Sequence, residues 1–198
     1  EREYGDDYQR VNLRSSLGDY FDLVLRLLGQ HQLMNAAQAI GLAKALEKKT
    51  RLKISDEAVR QGVSDARWPG RMEKIEESPL LLLDGAHNPE SMKQLHGSVK
   101  RHFSYARLIL VLAVSSDKDL EGILKEIMPE VYCLVATESG NPRALRAQAI
   151  VEAAAAYGKK ALVEVNPLIA LDKARSLASP ADLVLVTGSL FLVGEIKV

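Results

Sequence analysis

The sequence has 198 residues, enough for one large domain or for one domain and part of another. Hydrophobic residues make up 47% and charged residues 26%, a balance that is typical of a soluble globular protein and excludes extensive disorder. Lys and Arg together number 26, as do Asp and Glu, so the basic excess of a nucleic-acid-binding protein is absent. The apolar runs are too short to cross a bilayer, and a single cysteine, Cys133, excludes an internal disulfide. We therefore expect a cytoplasmic protein without nucleic-acid or membrane partners.

The first part of the chain is predicted to combine strands and helices. The pattern predicts, in order, strands over 8–13 and 20–27, a turn between them over 15–19, and helices over 31–48 and 55–63. Ser55 followed by two acids is typical of a helix start, because a hydroxyl cap and first-turn acids satisfy the free amides. Residues 66–69 are predicted to be the boundary between two structural units, 1–66 and 67–198, with a turn over 68–70. The first residue is Glu rather than Met, from which we expect a processed chain or a piece of a longer protein.

The second part alternates short apolar runs with helical patterns. The runs cover 80–83, 108–114, 131–136, 161–165 and 183–186, and the helical patterns cover 89–102, 120–127, 143–157 and 168–177. Runs that are apolar on both faces and are separated by crossover helices are typical of a parallel sheet covered on both sides. The sequence therefore predicts an α/β fold with a mostly parallel sheet and helices on both faces.

The leucine run at 80–83 ends abruptly in polar residues, Asp84-Gly85-Ala86-His87-Asn88-Pro89. Open α/β sheets bind ligands beyond the carboxyl ends of their strands, where Asp84 and His87 are expected to lie. Asn88 and Pro89 are typical of a helix N-terminus, which offers free N–H groups to an anion. The same local pattern is equally typical of an ordinary turn and helix cap, so that both interpretations remain open.

Other polar residues are predicted at the same edge of the sheet. Arg71 precedes the leucine run, 115–119 contains Lys118, and Thr187-Gly188-Ser189 ends the last run. Arg143 is placed on a predicted first helical turn, where acids are preferred, and this misfit favours a role with an anionic ligand. The alternatives are a surface arginine at position 71 and ordinary helix caps in 115–119.

Several familiar motifs are missing from the sequence. It contains neither a Gly-rich phosphate loop ending in Lys-Ser/Thr nor a G-x-G-x-x-G fingerprint. The histidines do not have metal-ligand spacing, so we assign no metal ligand in this chain. We expect His96 and His102 on the surface of a helix and Cys133 in the core.

Five motifs in order resemble one enzyme family. They are Gly29–Ala37 (GQHQLMNAA), Trp68–Glu73 (WPGRME), Leu83–Pro89 (LDGAHNP), Ser116–Asp119 (SDKD) and Thr187–Glu195 (TGSLFLVGE). Together they resemble folylpolyglutamate synthase/dihydrofolate synthase, a member of the Mur ligase superfamily. The resemblance implies that 67–198 is the Rossmann-like C-terminal glutamate ligase domain and that 1–66 is the end of the central ATP-binding domain.

The resemblance also implies an activity. The family uses ATP to add L-glutamate to dihydropteroate, to folates, or to both, through an acyl phosphate. The phosphate-binding loop and the Mg²⁺ ligands are then expected before residue 1, and the chain by itself is expected to be an inactive monomer. The alternative is a non-catalytic α/β module that binds a nucleotide or an anion.

The nucleotide contacts are implied by matching positions. Asn35 corresponds to a contact with the edge of adenine and Arg71 to a phosphate contact. Asp84 corresponds to a contact with the ribose or with an ordered water, and we include it with His87 as a catalytic residue.

The glutamate contacts follow in the same way. His87 corresponds to a histidine near the transferred phosphoryl group and the incoming glutamate, and Ser189 to a glutamate-binding position. Arg143 resembles the Asn-Pro-Arg by which related ligases hold an amino-acid carboxylate. Lys118 is added as a further candidate on this side.

Overall fold

The computed structural model describes residues 2–4, 7–16 and 18–197. The chain divides into two compact units, one comprising Glu1–Pro69 with Ser98–Phe103 and the other Gly70–Gly97 with Ser104–Val198. The break between residues 69 and 70 lies at the end of the predicted boundary, 66–69. The assignment of these units to an ATP-binding domain and a glutamate ligase domain stays a prediction.

The first unit contains a small antiparallel sheet and two helices. The elements are β1 (Arg2–Tyr4), β2 (Gln9–Leu13), β3 (Tyr20–Leu25), α1 (Gln30–Lys49) and α2 (Asp56–Asp65), and the strand order is β1-β2-β3. Strand β1 was not predicted, and the predicted turn at 15–19 includes residue 17, which lies outside the described residues. The Ser55 Oγ accepts a 3.1 Å hydrogen bond from the Ala58 N–H, so the predicted start of α2 is confirmed. Tyr20 and Ile40 belong to the core of this unit.

The second unit is built on a six-stranded sheet. Its strands are β4 (Glu73–Glu77), β5 (Leu80–Leu83), β6 (Leu108–Leu112), β7 (Val131–Ala136), β8 (Lys160–Val163) and β9 (Leu183–Thr187), in the order β4-β5-β9-β6-β7-β8. All neighbouring pairs are parallel except β4 with β5. The four central strands are almost entirely buried, which explains their continuous apolar runs.

Helices cover both faces of this sheet. They are α3 (Pro89–His102, of which Ser98–His102 belong to the first unit), α4 (Leu120–Ile127), α5 (Ala147–Ala154), α6 (Pro167–Leu177) and α7 (Leu190–Lys197), with short 3-10 turns at Met128–Glu130 and Ala155–Tyr157. The crossovers through α3, α4 and α5 advance along the sheet, whereas the crossover through α6 returns from β8 to β9. Because parallel crossovers are right-handed, α6 lies on the opposite face from α3, α4 and α5. Leu81, Ile109 and Val184 form one core cluster with residues of α6 and α7.

Three features besides β1 differ from the predictions. The edge strand β4 was missed because four of its five residues are charged, a composition that protects a sheet edge rather than filling a core. Helix α5 begins at Ala147 rather than at 143, because the preceding loop bonds to the end of β6: the Leu145 N–H donates to the Val114 carbonyl at 2.8 Å. His102 is only 5% exposed, so its predicted surface position is wrong.

Cys133 is fully buried in β7, as predicted. Among the described residues, no helix is both long and apolar enough to cross a membrane.

Candidate functional site

The candidate site is built from the loops at the carboxyl end of the parallel strands. Strands β5, β9, β6 and β7 are neighbours, so the loops that follow them emerge side by side at one edge of the sheet. Backbone hydrogen bonds join these loops, for example from the Gly188 N–H to the Ala86 carbonyl at 2.9 Å and from the Thr137 N–H to the Leu112 carbonyl at 2.9 Å. Asp84, His87, Lys118, Arg143 and Ser189 all lie in these loops.

Gly188 permits a close approach between the ends of two strands. Its φ is +98°, and a Cβ at this position would lie 2.3 Å from the Ala113 carbonyl oxygen. Only glycine combines a left-handed backbone with so close a contact to another strand end.

The Asp84 carboxylate is buried and holds two backbone N–H groups. Its Oδ1 accepts from Ala86 at 2.7 Å and its Oδ2 accepts from Met72 at 2.8 Å. Burial raises the pKa of Asp84, while the two N–H groups and the charge of Arg71 oppose that rise. A carboxylate with two backbone donors is well suited to hold a turn in one conformation.

The turn that carries Arg71 is fixed from several directions. Met72, the next residue, has a φ of +43°, and the Gly70 N–H donates to the Glu73 Oε2 at 2.8 Å. A Cβ on Gly85 would lie 3.2 Å from the Arg71 Nη1, so the missing side chain leaves room for the guanidinium. Arg71 therefore lies beside the Asp84 turn, half-buried rather than extended into solvent.

Glu73 connects this turn to the end of α7. Its carboxylate pairs with Lys197 in addition to accepting from Gly70. Burial alone would raise the pKa of Glu73, but the Lys197 ammonium and the Gly70 N–H outweigh burial and leave the pKa below its usual value. The contact adds a second anchor to the Arg71 turn.

His87 is held in a defined orientation next to Asp84. Its Nδ1 lies 2.8 Å from the Gly85 carbonyl oxygen. A carbonyl only accepts, so Nδ1 carries the proton and the lone pair of the neutral ring lies on Nε2. The predicted helix start after His87 is confirmed, because the Asn88 Oδ1 accepts from the Ser91 N–H at 2.8 Å and α3 begins at Pro89.

Asp117 brings the two remaining basic candidates together. Its Oδ2 lies 3.1 Å from the Lys118 Nζ and 3.5 Å from the Arg143 Nη1. Lys118 and, less strongly, Arg143 hold the pKa of Asp117 below its usual value. The side chain of Arg143 is 62% exposed, so its guanidinium remains accessible to a dissolved anion. Arg143 lies in a loop, and its predicted position on a helical turn is wrong.

Asn141 and Ser189 are buried at the same edge. The Asn141 Nδ2 donates to the Ser115 Oγ at 3.4 Å, and its Oδ1 accepts from the Arg143 N–H at 3.0 Å. Asn141 therefore shapes the Arg143 loop and does not cap α5. The Ser189 Oγ accepts from the Phe191 N–H at 3.2 Å, so Ser189 stabilises the start of α7.

Asn35 lies in the first unit, on the second turn of α1. It is exposed, and its Nδ2 donates to the Gln32 Oε1 at 2.9 Å. Both amides border a cavity of about 510 Å³ whose lining is otherwise mainly apolar and includes Leu25, Ile40 and Val59. An apolar lining with a few polar groups is typical of a small-molecule pocket.

The structure joins the predicted residues of the second unit in two groups. Asp84 and His87 lie on one turn with Arg71 on the adjacent turn that Asp84 holds, whereas Arg143 and Lys118 share Asp117. Their binding and catalytic roles stay predictions. Sequence reasoning missed Asp117 as the shared partner, although it is part of the SDKD motif. Within the part of the chain that the structure describes, no cluster of three or more acidic, His or Cys side chains is arranged to hold a metal ion.

A comparison with known protein families identifies the family of the unit that carries this candidate site. Residues 70–190 match the family described as Mur ligase, glutamate ligase domain. This chain belongs to the Mur ligase family. The family resemblance and the fold class predicted from the sequence are thereby confirmed. The match covers all six of the predicted site residues that follow residue 69.

Relatives and solved structures agree with this family. The chain is 32% identical over 178 residues to a dihydrofolate synthase/folylpolyglutamate synthase of Bacillus subtilis, covering 90% of this chain and 41% of the relative. A Mycobacterium tuberculosis folylpolyglutamate synthase complexed with ADP and AMPPCP superposes with a TM-score of 0.89 at 31% identity, covering 100% of this chain and 46% of that chain. Escherichia coli FolC in complex with DHPP and ADP gives a TM-score of 0.81 at 28% identity, over 94% of this chain and 42% of that chain. The chain therefore spans less than half the length of these relatives.

Proposed function

We infer that this chain is the C-terminal part of an ATP-dependent ligase that adds L-glutamate to dihydropteroate, to folates, or to both. The observation that carries the proposal is the pair of adjacent turns in which the buried Asp84 carboxylate, the Arg71 guanidinium and the oriented His87 imidazole lie together at the edge of a Mur ligase sheet. The relatives named above supply the substrate class. The same reasoning assigns 1–66 to the end of an ATP-binding domain and 67–198 to the glutamate ligase domain.

The proposed reaction has two steps. The terminal phosphoryl group of ATP passes to a carboxylate oxygen of the pterin substrate, giving an acyl phosphate and ADP. The amino group of glutamate then attacks the acyl carbon, loses a proton and expels phosphate, leaving an amide. Both steps need stabilisation of negative charge and exclusion of water.

Arg71 and Asp84 are proposed to act on the nucleotide. A half-buried guanidinium binds phosphate oxygens through paired N–H groups and gains strength where water is partly excluded. Asp84 uses both oxygens to hold the Ala86 and Met72 N–H groups, so it also positions Arg71. Asn35, at the border of its own cavity, is proposed to contact the adenine edge.

His87 is proposed to act on the attacking amine. Because its Nδ1 donates to Gly85, its Nε2 is free to accept a hydrogen bond or a proton from an ammonium group. The imidazole thereby favours the neutral amine, which is the form that attacks an acyl carbon.

The substrate glutamate is proposed to contact Arg143, Ser189 and Lys118. Arg143 has an accessible guanidinium, and Asp117 restrains it near Lys118. Guanidinium and ammonium groups both bind carboxylates, and the guanidinium does so with the higher geometric specificity because it can donate two parallel hydrogen bonds. Mg²⁺, when bound, would neutralise phosphate charge, and we propose that its ligands lie outside this chain.

The test uses the longer protein that carries this chain. Glutamate-dependent ADP release is measured with dihydropteroate and with tetrahydrofolate, for the wild type and for Asp84→Ala and His87→Ala. We expect activity with at least one substrate and a loss of about 100-fold or more in both variants. The melting temperature should stay close to that of the wild type in His87→Ala and fall in Asp84→Ala, which leaves two buried N–H groups without their acceptor, while both variants remain folded at the assay temperature. Normal turnover in folded variants would remove these residues from the mechanism.

A second measurement separates the ligase from a simple binding module. Calorimetric titration with ATP is expected to give heat with the longer protein and not with this chain alone, because the proposed phosphate loop is missing from the chain. Tight ATP binding and no ligation by either protein would favour the non-catalytic module.

A further inference from the structure

The loop between β7 and α5 is held at its two ends by different elements. At its start the Thr137 Oγ1 donates to the Val165 carbonyl at 3.1 Å, and at its end the Ser116 N–H donates to the Arg143 carbonyl at 2.7 Å. Asn141 and Arg143 lie in the second half of the loop. Their side chains contact Ser115 and Asp117, and the backbone that carries both residues also depends on what holds the middle of the loop.

Glu195 of α7 holds this middle segment. The Gly140 N–H donates to the Glu195 Oε1 at 2.7 Å, a contact between residues 55 positions apart. Gly140 has no side chain, and a Cβ there would lie 3.3 Å from the same oxygen, so the glycine leaves the carboxylate room to reach the backbone. A hydrogen bond to a charged acceptor at this distance is a strong restraint on a loop.

The rest of α7 contacts the other half of the candidate site. A Cβ on Gly85 would lie 2.2 Å from the Leu190 Cδ2, and one on Gly70 would lie 2.9 Å from the Val193 Cγ1. Leu190 and Val193 are three residues apart and share one face of the helix, whereas Glu195 projects from a different face. Helix α7 is thus in contact with the Asp84 turn on one face and with the Gly140 loop on another.

We propose that Glu195 is a positioning residue for the amino-acid substrate. It holds the Gly140 N–H and thereby keeps Asn141 and Arg143 in the orientation that binds the substrate carboxylate. This inference rests on the proposed function. The inference goes beyond that function because it assigns Glu195, a residue of α7, an effect on glutamate binding and not on nucleotide binding.

The test compares substitutions of Glu195 in the longer enzyme. Glu195→Ala removes the acceptor, and the KM for glutamate is expected to rise roughly tenfold, while kcat and the KM for ATP stay unchanged. Glu195→Gln keeps an oxygen at the same position and is expected to restore the wild-type KM. Glu152→Ala, which removes an exposed carboxylate from α5, is the matched control. Should Glu195→Ala unfold at the assay temperature, Glu195→Asp, which withdraws the carboxylate by one methylene, takes its place.

The result is decisive in either direction. The proposal would be overturned by an unchanged KM for glutamate in Glu195→Ala. It would also be overturned by an equal rise of that KM in Glu195→Ala and Glu195→Gln, or by an equal rise in the KM for ATP. Absence of glutamate-dependent activity in the wild type would instead refute the proposed function. In that case hydrogen exchange still tests the contact, since the segment 138–146 is expected to exchange faster in Glu195→Ala than in Glu195→Gln.

Discussion

The backbone N–H of Met72 donates to the buried Asp84 carboxylate at 2.8 Å, which ties the turn carrying Arg71 to the end of β5. Met72 has a left-handed backbone at a φ of +43°, a conformation that is unfavourable for a side chain with a Cβ. The hydrogen bond to Asp84 offsets part of this strain. The carboxylate therefore has a structural role in addition to its proposed place in the nucleotide site.

Asp84→Asn tests the structural role of the carboxylate while keeping a side chain of the same size. The amide has one acceptor oxygen in place of two, so either Met72 or Ala86 loses its partner and Arg71 shifts. We expect kcat/KM for ATP in the longer enzyme to fall by about 100-fold. Asp172→Asn on α6, whose side chain is 74% exposed, should retain wild-type kinetics. Equal kinetics for the two variants would contradict the positioning of Arg71 by Asp84.

Arg143→Ala tests the proposed carboxylate contact. Removal of the guanidinium is expected to raise the KM for glutamate by roughly 10- to 100-fold, since a charge-assisted hydrogen bond is lost. Arg146→Ala is the control, because that side chain is 83% exposed and pairs with Glu138. Initial rates at varied glutamate concentration distinguish the two. A similar change in both variants would indicate an effect of net charge rather than of a specific contact.

Gly188→Ala is expected to disturb the strand ends far more than Gly158→Ala. Both glycines have a positive φ, but a Cβ on Gly188 would lie 2.3 Å from the Ala113 carbonyl oxygen, whereas a Cβ on Gly158 would meet nothing within 4 Å. The backbone conformation alone should cost about 1 kcal/mol of unfolding free energy in each variant. The clash should add about 2 kcal/mol in Gly188→Ala. Urea denaturation of the two variants measures the difference, and equal midpoints would be inconsistent with this packing.

Asp182→Asn should change the dependence of stability on pH. The Asp182 side chain is fully buried, and its Oδ2 lies 2.6 Å from the Arg107 Nη2, which holds the pKa of Asp182 well below its usual value. A carboxyl whose pKa is lower in the folded than in the unfolded state adds stability above about pH 4, and this contribution is lost as the pH falls further.

The melting temperature of Asp182→Asn is accordingly expected to be roughly 5 °C below the wild type at neutral pH. The difference should shrink as the pH falls below about 4. Thermal denaturation at several pH values measures it. A constant difference across this range would show that Asp182 acts through packing and not through its charge.

The sequence was sufficient for the elements whose signal is local. The central strands are buried on both faces, so they require uninterrupted apolar runs such as 80–83, and these runs are visible without a partner. The start of α3 was equally clear, because Asn88 caps it through a hydrogen bond to Ser91, only three positions along the chain. Local periodicity and capping thus determined the α/β class and placed Asp84 and His87 at a strand end.

The tertiary structure alone decided which distant groups meet. Strand β4 exists because its charged residues pair with β5, and α5 starts late because its preceding loop bonds to β6. Met72, Asp117 and Glu195, which contact Asp84, Arg143 and Gly140, come from other parts of the chain, and Glu195 is 55 residues from Gly140. Such contacts depend on the order of strands in the sheet, which no short-range pattern encodes, because the same apolar run pairs equally well with several neighbours.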